Sequence, residues 1–149
     1  METKKETFIF HGLGFPLQLI DCPMKNVIGE WVIDINLNAL QLLVFKGLIH
    51  KPSPLAGKEV RFMRKFMDLT TVNFGKMLGV THAAVVKWEK EQVHMSLVQD
   101  VYIRMLCMEM LKGMEINSLF KEITPETLAE AKGDKKPLSI HASELKVAI

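Results

Sequence analysis

Apolar positions between Thr7 and Ile35 come in short runs cut by glycine, proline and aspartate. Thr7-Phe-Ile-Phe precedes Gly12 and Gly14, Pro16-Leu-Gln-Leu-Ile precedes Asp21-Cys-Pro23, and Trp31-Val-Ile-Asp-Ile closes the series. Short, partly β-branched runs with such punctuation predict the strands of a small sheet. Residues 1–7 are polar and read as a loose end. From Asn36 to His50 the pattern changes, with Leu37, Leu40, Leu43, Val44 and Leu48 recurring at helical spacing. Asp34 or Asn36 is placed to cap that helix. Lys51-Pro-Ser-Pro-Leu-Ala-Gly then breaks the period, because proline cannot continue a helix.

Helical patterns resume over Gly57–Asp68, Thr70–Leu78 and Thr81–Glu91, with short joints at Asp68-Leu69 and Gly79-Val80. Ser96 is placed to cap a further helix reaching Lys112. Val98, Val101, Tyr102, Ile103, Met105, Leu106, Met108, Met110 and Leu111 make that helix apolar nearly all round. A helix without a polar stripe is covered on more than one side, and in so short a chain the second cover is another subunit. Beyond Gly113 the pattern predicts a short helix over Ile116–Glu122, another opened by Thr124-Pro125-Glu126, a turn at Gly133–Pro137, and a tail from Leu138 that is an edge strand or a frayed end. Together these elements predict a mainly α chain in three parts. They are a small β-containing N-terminal α+β module (1–52), a helical domain (53–113) and a helical or extended tail (114–149).

Composition narrows the class. With 149 residues, 48% hydrophobic and 24% charged, the chain suits a folded domain with a real core and not a disordered segment. Two cysteines, Cys22 and Cys107, cannot make a four-thiolate zinc site or a disulfide framework. His11 near Cys22 is too small a ligand set, so no metal and no cofactor is expected. No uninterrupted apolar run is long enough for a membrane span, and the polar N-terminus lacks a secretory pattern, so a cytoplasmic location is expected. The net charge of +2 is too weak to indicate a nucleic-acid partner by itself. No Ser/His/Asp constellation, His-Glu-x-x-His or phosphate loop is present, and Gly12-Leu-Gly14 lacks a third glycine. The expectation is a protein that is not an enzyme.

The segment from Thr71 to Lys90 carries the strongest signal. Two short helices that cross steeply need a small residue at their closest approach and a turn residue that tolerates positive φ. Gly75 and Gly79 stand at those places. Phe74, Leu78, Val80, Val85 and Trp88 supply the shared core. The second helix then turns His82, Ala83, Val86, Lys87 and Lys90 outward, as a recognition helix in a major groove would. Lys87 can donate to guanine or phosphate, His82 can meet a base edge, and Ala83 and Val86 can touch a thymine methyl. Thr71 and Thr81 open the two helices, where amides and hydroxyls face passing phosphates. Between Gly57 and Gln92, seven bases against four acids leave +3 for phosphate neutralisation.

The stretch Arg61-Phe-Met-Arg-Lys-Phe-Met-Asp-Leu-Thr-Thr-Val-Asn-Phe-Gly-Lys-Met-Leu-Gly-Val-Thr-His-Ala-Ala-Val-Val-Lys-Trp-Glu resembles the Xre/Cro-type helix-turn-helix family. The resemblance implies a lambda-repressor-like helical domain. It also implies a structural ion pair between Arg64 and Glu89, at the positions where that family joins its first helix to the end of the recognition helix. Where Thr71 stands the family usually places glutamine, which contacts the DNA backbone and braces the next helix; threonine is shorter. Pro54-Leu-Ala-Gly-Lys-Glu-Val-Arg-Phe-Met-Arg-Lys-Phe-Met, behind a small N-terminal module, resembles the C-terminal part of MqsA-like antitoxin regulators. Many of those carry a cysteine zinc module, which the single Cys22 cannot reproduce. The implied function is a dimeric, sequence-specific repressor on double-stranded DNA, with Ser96–Lys112 as the seam of a homodimer. The alternatives are an antitoxin whose main partner is a protein toxin, and an adapter that keeps the helical fold without binding DNA.

Overall fold

The computed structural model describes residues 1–111 and 116–147. The chain is mixed α/β, 48% helical and 21% strand, with a four-stranded mixed sheet. This overturns the expectation of a mainly α fold with a small β module. It divides into two compact units, residues 1–44 with 136–149, and residues 45–135. The division differs from the three sequential parts read from the pattern, because the C-terminal segment returns to the sheet.

The first unit contains β1 (Thr3–Phe10), β2 (Leu17–Val27), β3 (Glu30–Ile33), β4 (Leu138–His141) and the start of α1 (Leu37–Ile49). β1 runs antiparallel to β2, from Thr3 opposite Lys25 to Phe10 opposite Leu17. Residues 3–7 therefore form a strand, not a loose end. They read as polar because β1 is an edge strand with exposed side chains, where Lys4 pairs with Glu6 at 3.2 Å and lies 4.3 Å over the Trp31 ring. The tail reaches the sheet as β4, parallel to β2 from Leu17 opposite Leu138 to Ile20 opposite His141.

β2 hides its own periodicity. Leu17 and Leu19 are fully buried, and then the buried positions become Cys22 and Met24, so the alternation changes parity. The cause is a β-bulge at Ile20-Asp21 opposite Thr7, where Asp21 takes φ 52° and its amide donates to Thr7 Oγ1 at 3.0 Å. The β2–β3 hairpin closes through Ile28 (φ 50°) and Gly29 (φ 83°), the two positive-φ positions of a primed turn. Asn36 caps α1, its Oδ1 accepting from the Ala39 amide at 3.1 Å.

The second unit contains the end of α1, then α2 (Gly57–Phe66), α3 (Thr71–Leu78), α4 (His82–Glu89), α5 (Leu97–Met110), α6 (Ile116–Glu122) and α7 (Pro125–Glu130). Ser96 and Gln99 form a reciprocal capping box at the start of α5, and Thr124 caps α7. Ile103, Cys107 and Met108 on α5 are buried, while Val98, Tyr102 and Met110 are exposed. The expected end of α5 at Lys112 and the boundary at Gly113 lie outside the described residues.

Residues 51–55, where the helical period breaks, are pinned in place. Lys51, Ser53 and Leu55 are buried, and Lys51 Nζ pairs with Glu59 at 2.7 Å. The guanidinium of Arg104, wholly buried, donates to the carbonyls of Ile49, Lys51 and Ser53 and to Asp100. Cys107 lies 3.9 Å from the Met67 sulfur, and burial pushes its thiol up to about 12 although Arg104 opposes the shift. It is a small buried hydrophobe. Among the described residues, no helix is long and apolar enough to cross a membrane.

Candidate nucleic-acid interface

α3 and α4 are each bounded by local chemistry visible in their side chains. Thr70 caps α3 by accepting from the Asn73 amide at 3.1 Å, and Thr81 caps α4 by accepting from the Ala84 amide at 3.1 Å. Each cap contributes about 1 kcal/mol. Gly79 ends α3 in the left-handed region, at φ 70° and ψ 30°. That conformation turns the Val80 amide back onto the Gly75 carbonyl at 2.9 Å. A Cβ on Gly75 would stand 2.8 Å from the Val80 carbonyl oxygen, so the close crossing needs glycine there. Phe74, Val85 and Trp88 are buried between the helices, with Leu78 and Val80 half-buried at the margin.

The pair is held to α2 by a two-toothed ion pair. Arg64 Nε meets Glu89 Oε2 at 2.6 Å, and Nη2 meets Oε1 at 2.9 Å. Arg64 Nη1 also donates to the Leu69 carbonyl at 2.8 Å, in the turn between α2 and α3. One guanidinium thus joins α2, the following turn and the last residue of α4. Both partners are buried, so removing either leaves a charge without water or a counter-ion.

With Val85, Trp88 and Glu89 turned inward, α4 presents His82, Ala83 and Lys87 to solvent, and Lys90, the residue that caps its C-terminus, is exposed beside them. Val86 is half-buried, less available than its place in the pattern predicts. Thr81 is exposed and Thr71 half-buried. The capping hydroxyls already occupy the Asn73 and Ala84 amides, so those two amides are not open to phosphate.

One relation here was not legible in the sequence. Thr71 Oγ1 and His82 Nδ1 are 2.6 Å apart. Each residue opens its helix, and the Gly79 turn brings the two helix starts together. No periodicity links these positions, and only the turn geometry does.

Burial also sharpens the electrostatics. Arg64 and Glu89 neutralise one another, and Glu59 is taken up by Lys51. Within residues 57–92 this leaves Lys58, Arg61, Lys65, Lys76, Lys87 and Lys90 exposed, against Asp68 and Glu91. Six exposed cations facing two exposed acids make this segment more basic at its surface than its formal charge indicates. Among the described residues, no group of three or more His, Cys, Asp or Glu is placed to hold a metal ion. Compared with protein-family models, curated proteins and solved structures, the chain has no match.

Proposed function

We propose that the chain is a sequence-specific DNA-binding transcriptional regulator, a cytoplasmic repressor of the Xre/Cro helix-turn-helix type. The supporting observation is the exposed side of α4, with His82, Ala83, Lys87 and Lys90 displayed on a helix whose other side is locked by Trp88 and Glu89. A rigid short helix with donors outside and an ion-paired core inside suits entry into a major groove. Lys87 donates to guanine or phosphate, Ala83 and the accessible part of Val86 meet thymine methyls, and Lys90 neutralises the flanking backbone. Thr71 and Thr81 lie beside the strand that such a docking would bring close.

A homodimer follows from energetics, because one short helix makes few base contacts and two linked half-sites multiply affinity. The exposed Val98, Tyr102 and Met110 on α5 are the surface on which two copies would pair. Recognition helices so joined read half-sites about 34 Å apart.

The test is selection of bound duplexes from a random pool at two salt concentrations, with the full chain. An enriched inverted repeat is the expected outcome. Lys87→Ala is expected to weaken operator binding by about 1–3 kcal/mol without changing the melting temperature. Undiminished binding by that variant in a gel-shift removes α4 as the reading element.

The β2–β3 hairpin favours a second reading. Val27, Ile28, Trp31 and Val32 are exposed apolar residues close together in sequence, with Ile28 99% exposed at the tip. Clustered apolar exposure marks protein-binding surfaces. On this reading the chain also neutralises a protein toxin, in the manner of the MqsA-like antitoxins it resembles. A toxin co-purifying with the full chain favours it, and a chain that purifies alone from its native host speaks against it.

A further inference from the structure

Every residue of the β2–β3 hairpin from Val27 to Val32 is exposed, and Val27, Ile28, Trp31 and Val32 are large and apolar. The pairing of β1 with β2 ends at Thr3 opposite Lys25, and β4 pairs only with Leu17–Ile20, so the tip projects beyond both ladders. Val27 stands opposite Glu30, and Lys25 opposite Val32, which puts these four on one face of the ribbon. Ile28 breaks the rule of its own turn. The first central position of a primed turn needs positive φ, which asparagine, aspartate and glycine accept and a β-branched side chain resists. Ile28 holds φ 50° there and is 99% exposed, so the turn is strained while its side chain buries nothing. Strain that the fold does not use points to a use outside it.

Charge indicates what covers the tip. Lys25 is engaged by Asp34 at 3.7 Å, and Lys4 pairs with Glu6 and lies over the Trp31 ring. Glu30 is the only charged residue from Val27 to Val32. An anion beside an apolar tip is repelled by anionic lipid and is complementary to a protein pocket with cations at its rim.

We propose that Ile28 anchors a protein–protein interface: its side chain fills an apolar pocket of a partner protein, Val27 and Val32 cover the mouth of that pocket, and Glu30 pairs with a lysine or arginine on its rim. A two-residue turn is narrow enough to enter such a pocket, and a few buried anchors carry most of the energy of an interface. This inference rests on the second reading above, that the hairpin binds another protein, and adds the anchoring residue and the chemistry of the pocket.

Ile28→Asn installs the residue that the turn favours and removes the anchor. It is expected to raise the melting temperature of the full chain by about 2–4 °C. An unchanged or lowered melting temperature overturns the proposal, because the turn is then not strained for a partner's sake. To find the partner, a photoreactive phenylalanine replaces Val32 in the full chain in its native host, leaving Ile28 and Glu30 in place. The crosslinked protein is then purified and titrated calorimetrically with wild-type chain and variants. Ile28→Asn is expected to weaken binding about ten- to a hundredfold. Glu30→Lys is expected to weaken it by a factor that shrinks as salt rises.

Absence of any adduct overturns both the second reading and this inference. A partner that binds Ile28→Asn as tightly as wild type leaves that reading standing and sinks the anchor alone. An adduct confined to a second copy of the chain overturns the proposal, and so does a blue shift of Trp31 emission with phosphatidylcholine or phosphatidylglycerol vesicles. That emission is assignable because Trp88, the other tryptophan, is buried.

Discussion

Replacing Arg104 with alanine is expected to destabilise the protein by about 3–5 kcal/mol. Its Nε donates to Asp100 Oδ1 at 2.7 Å, and its two terminal nitrogens donate to the carbonyls of Ile49, Lys51 and Ser53. The other Asp100 oxygen accepts from the Leu55 amide at 2.7 Å. Arg104 is 0% and Asp100 1% exposed, so water cannot replace the lost partner. Burial pulls the guanidinium's pKa down and Asp100 opposes that pull, which identifies Asp100 as the counter-charge. Truncation leaves a buried carboxylate unpaired and three carbonyls without a donor. Arg104→Lys retains a charge but not the planar fork, so it is expected to fall between wild type and alanine. Urea unfolding followed by circular dichroism measures both. An unchanged midpoint for Arg104→Ala would show that residues 49–55 are not held by this network.

Glu89→Ala is expected to cost a similar amount, about 3–5 kcal/mol, because it strands the buried Arg64 guanidinium. Here the loss also reaches the side of α4 proposed to read DNA. Glu89 is the last residue of α4, and Arg64 ties it to α2 and to the Leu69 carbonyl. Operator binding should therefore fall together with stability, although Glu89 points inward. Lys87→Ala should lower binding and leave stability intact. Glu89→Gln keeps an acceptor for one Arg64 nitrogen and loses the charge, so its penalty should be smaller than that of alanine. Thermal melting and gel-shift titration on the same preparations check the pair. A Glu89→Ala protein that melts normally would remove Arg64 as the joint between α2 and α4.

The helical half of the molecule was readable because its determinants are local. Asn36, Thr70, Thr81, Ser96 and Thr124 each sit at a helix start with a side chain that accepts from the amide three residues on. Such signals lie within one turn of chain and need no knowledge of the fold. The same holds for Gly79, whose conformational freedom ends α3, and for the apolar faces of α3 and α4. The Arg64–Glu89 pair came from a family resemblance rather than from periodicity.

The sheet was harder to read, for reasons that Asp21 and Lys4 make plain. The bulge at Asp21 moves the buried set of β2 from odd to even positions, so one long strand looks like two short runs. Lys4 and its neighbours belong to an edge strand, whose exposed side chains show no apolar alternation. β4 is four residues long and gains its identity only by pairing with β2. A short parallel strand has no local signature, because its partner lies more than a hundred residues away. Local pattern alone therefore under-counts the strands and predicts a mainly α chain.

By itself, then, the sequence determined the helix starts, the glycine turn between α3 and α4, and the outward places of His82, Ala83, Lys87 and Lys90, but not that of Val86, which is half-buried. These depend on chemistry within a few residues of chain. Tertiary structure alone decided that the C-terminal segment completes the sheet, that Arg104 ties down residues 49–53, and that Thr71 meets His82. The first two join groups more than fifty residues apart; the third joins two helix starts eleven residues apart that only the turn between them brings within bonding distance.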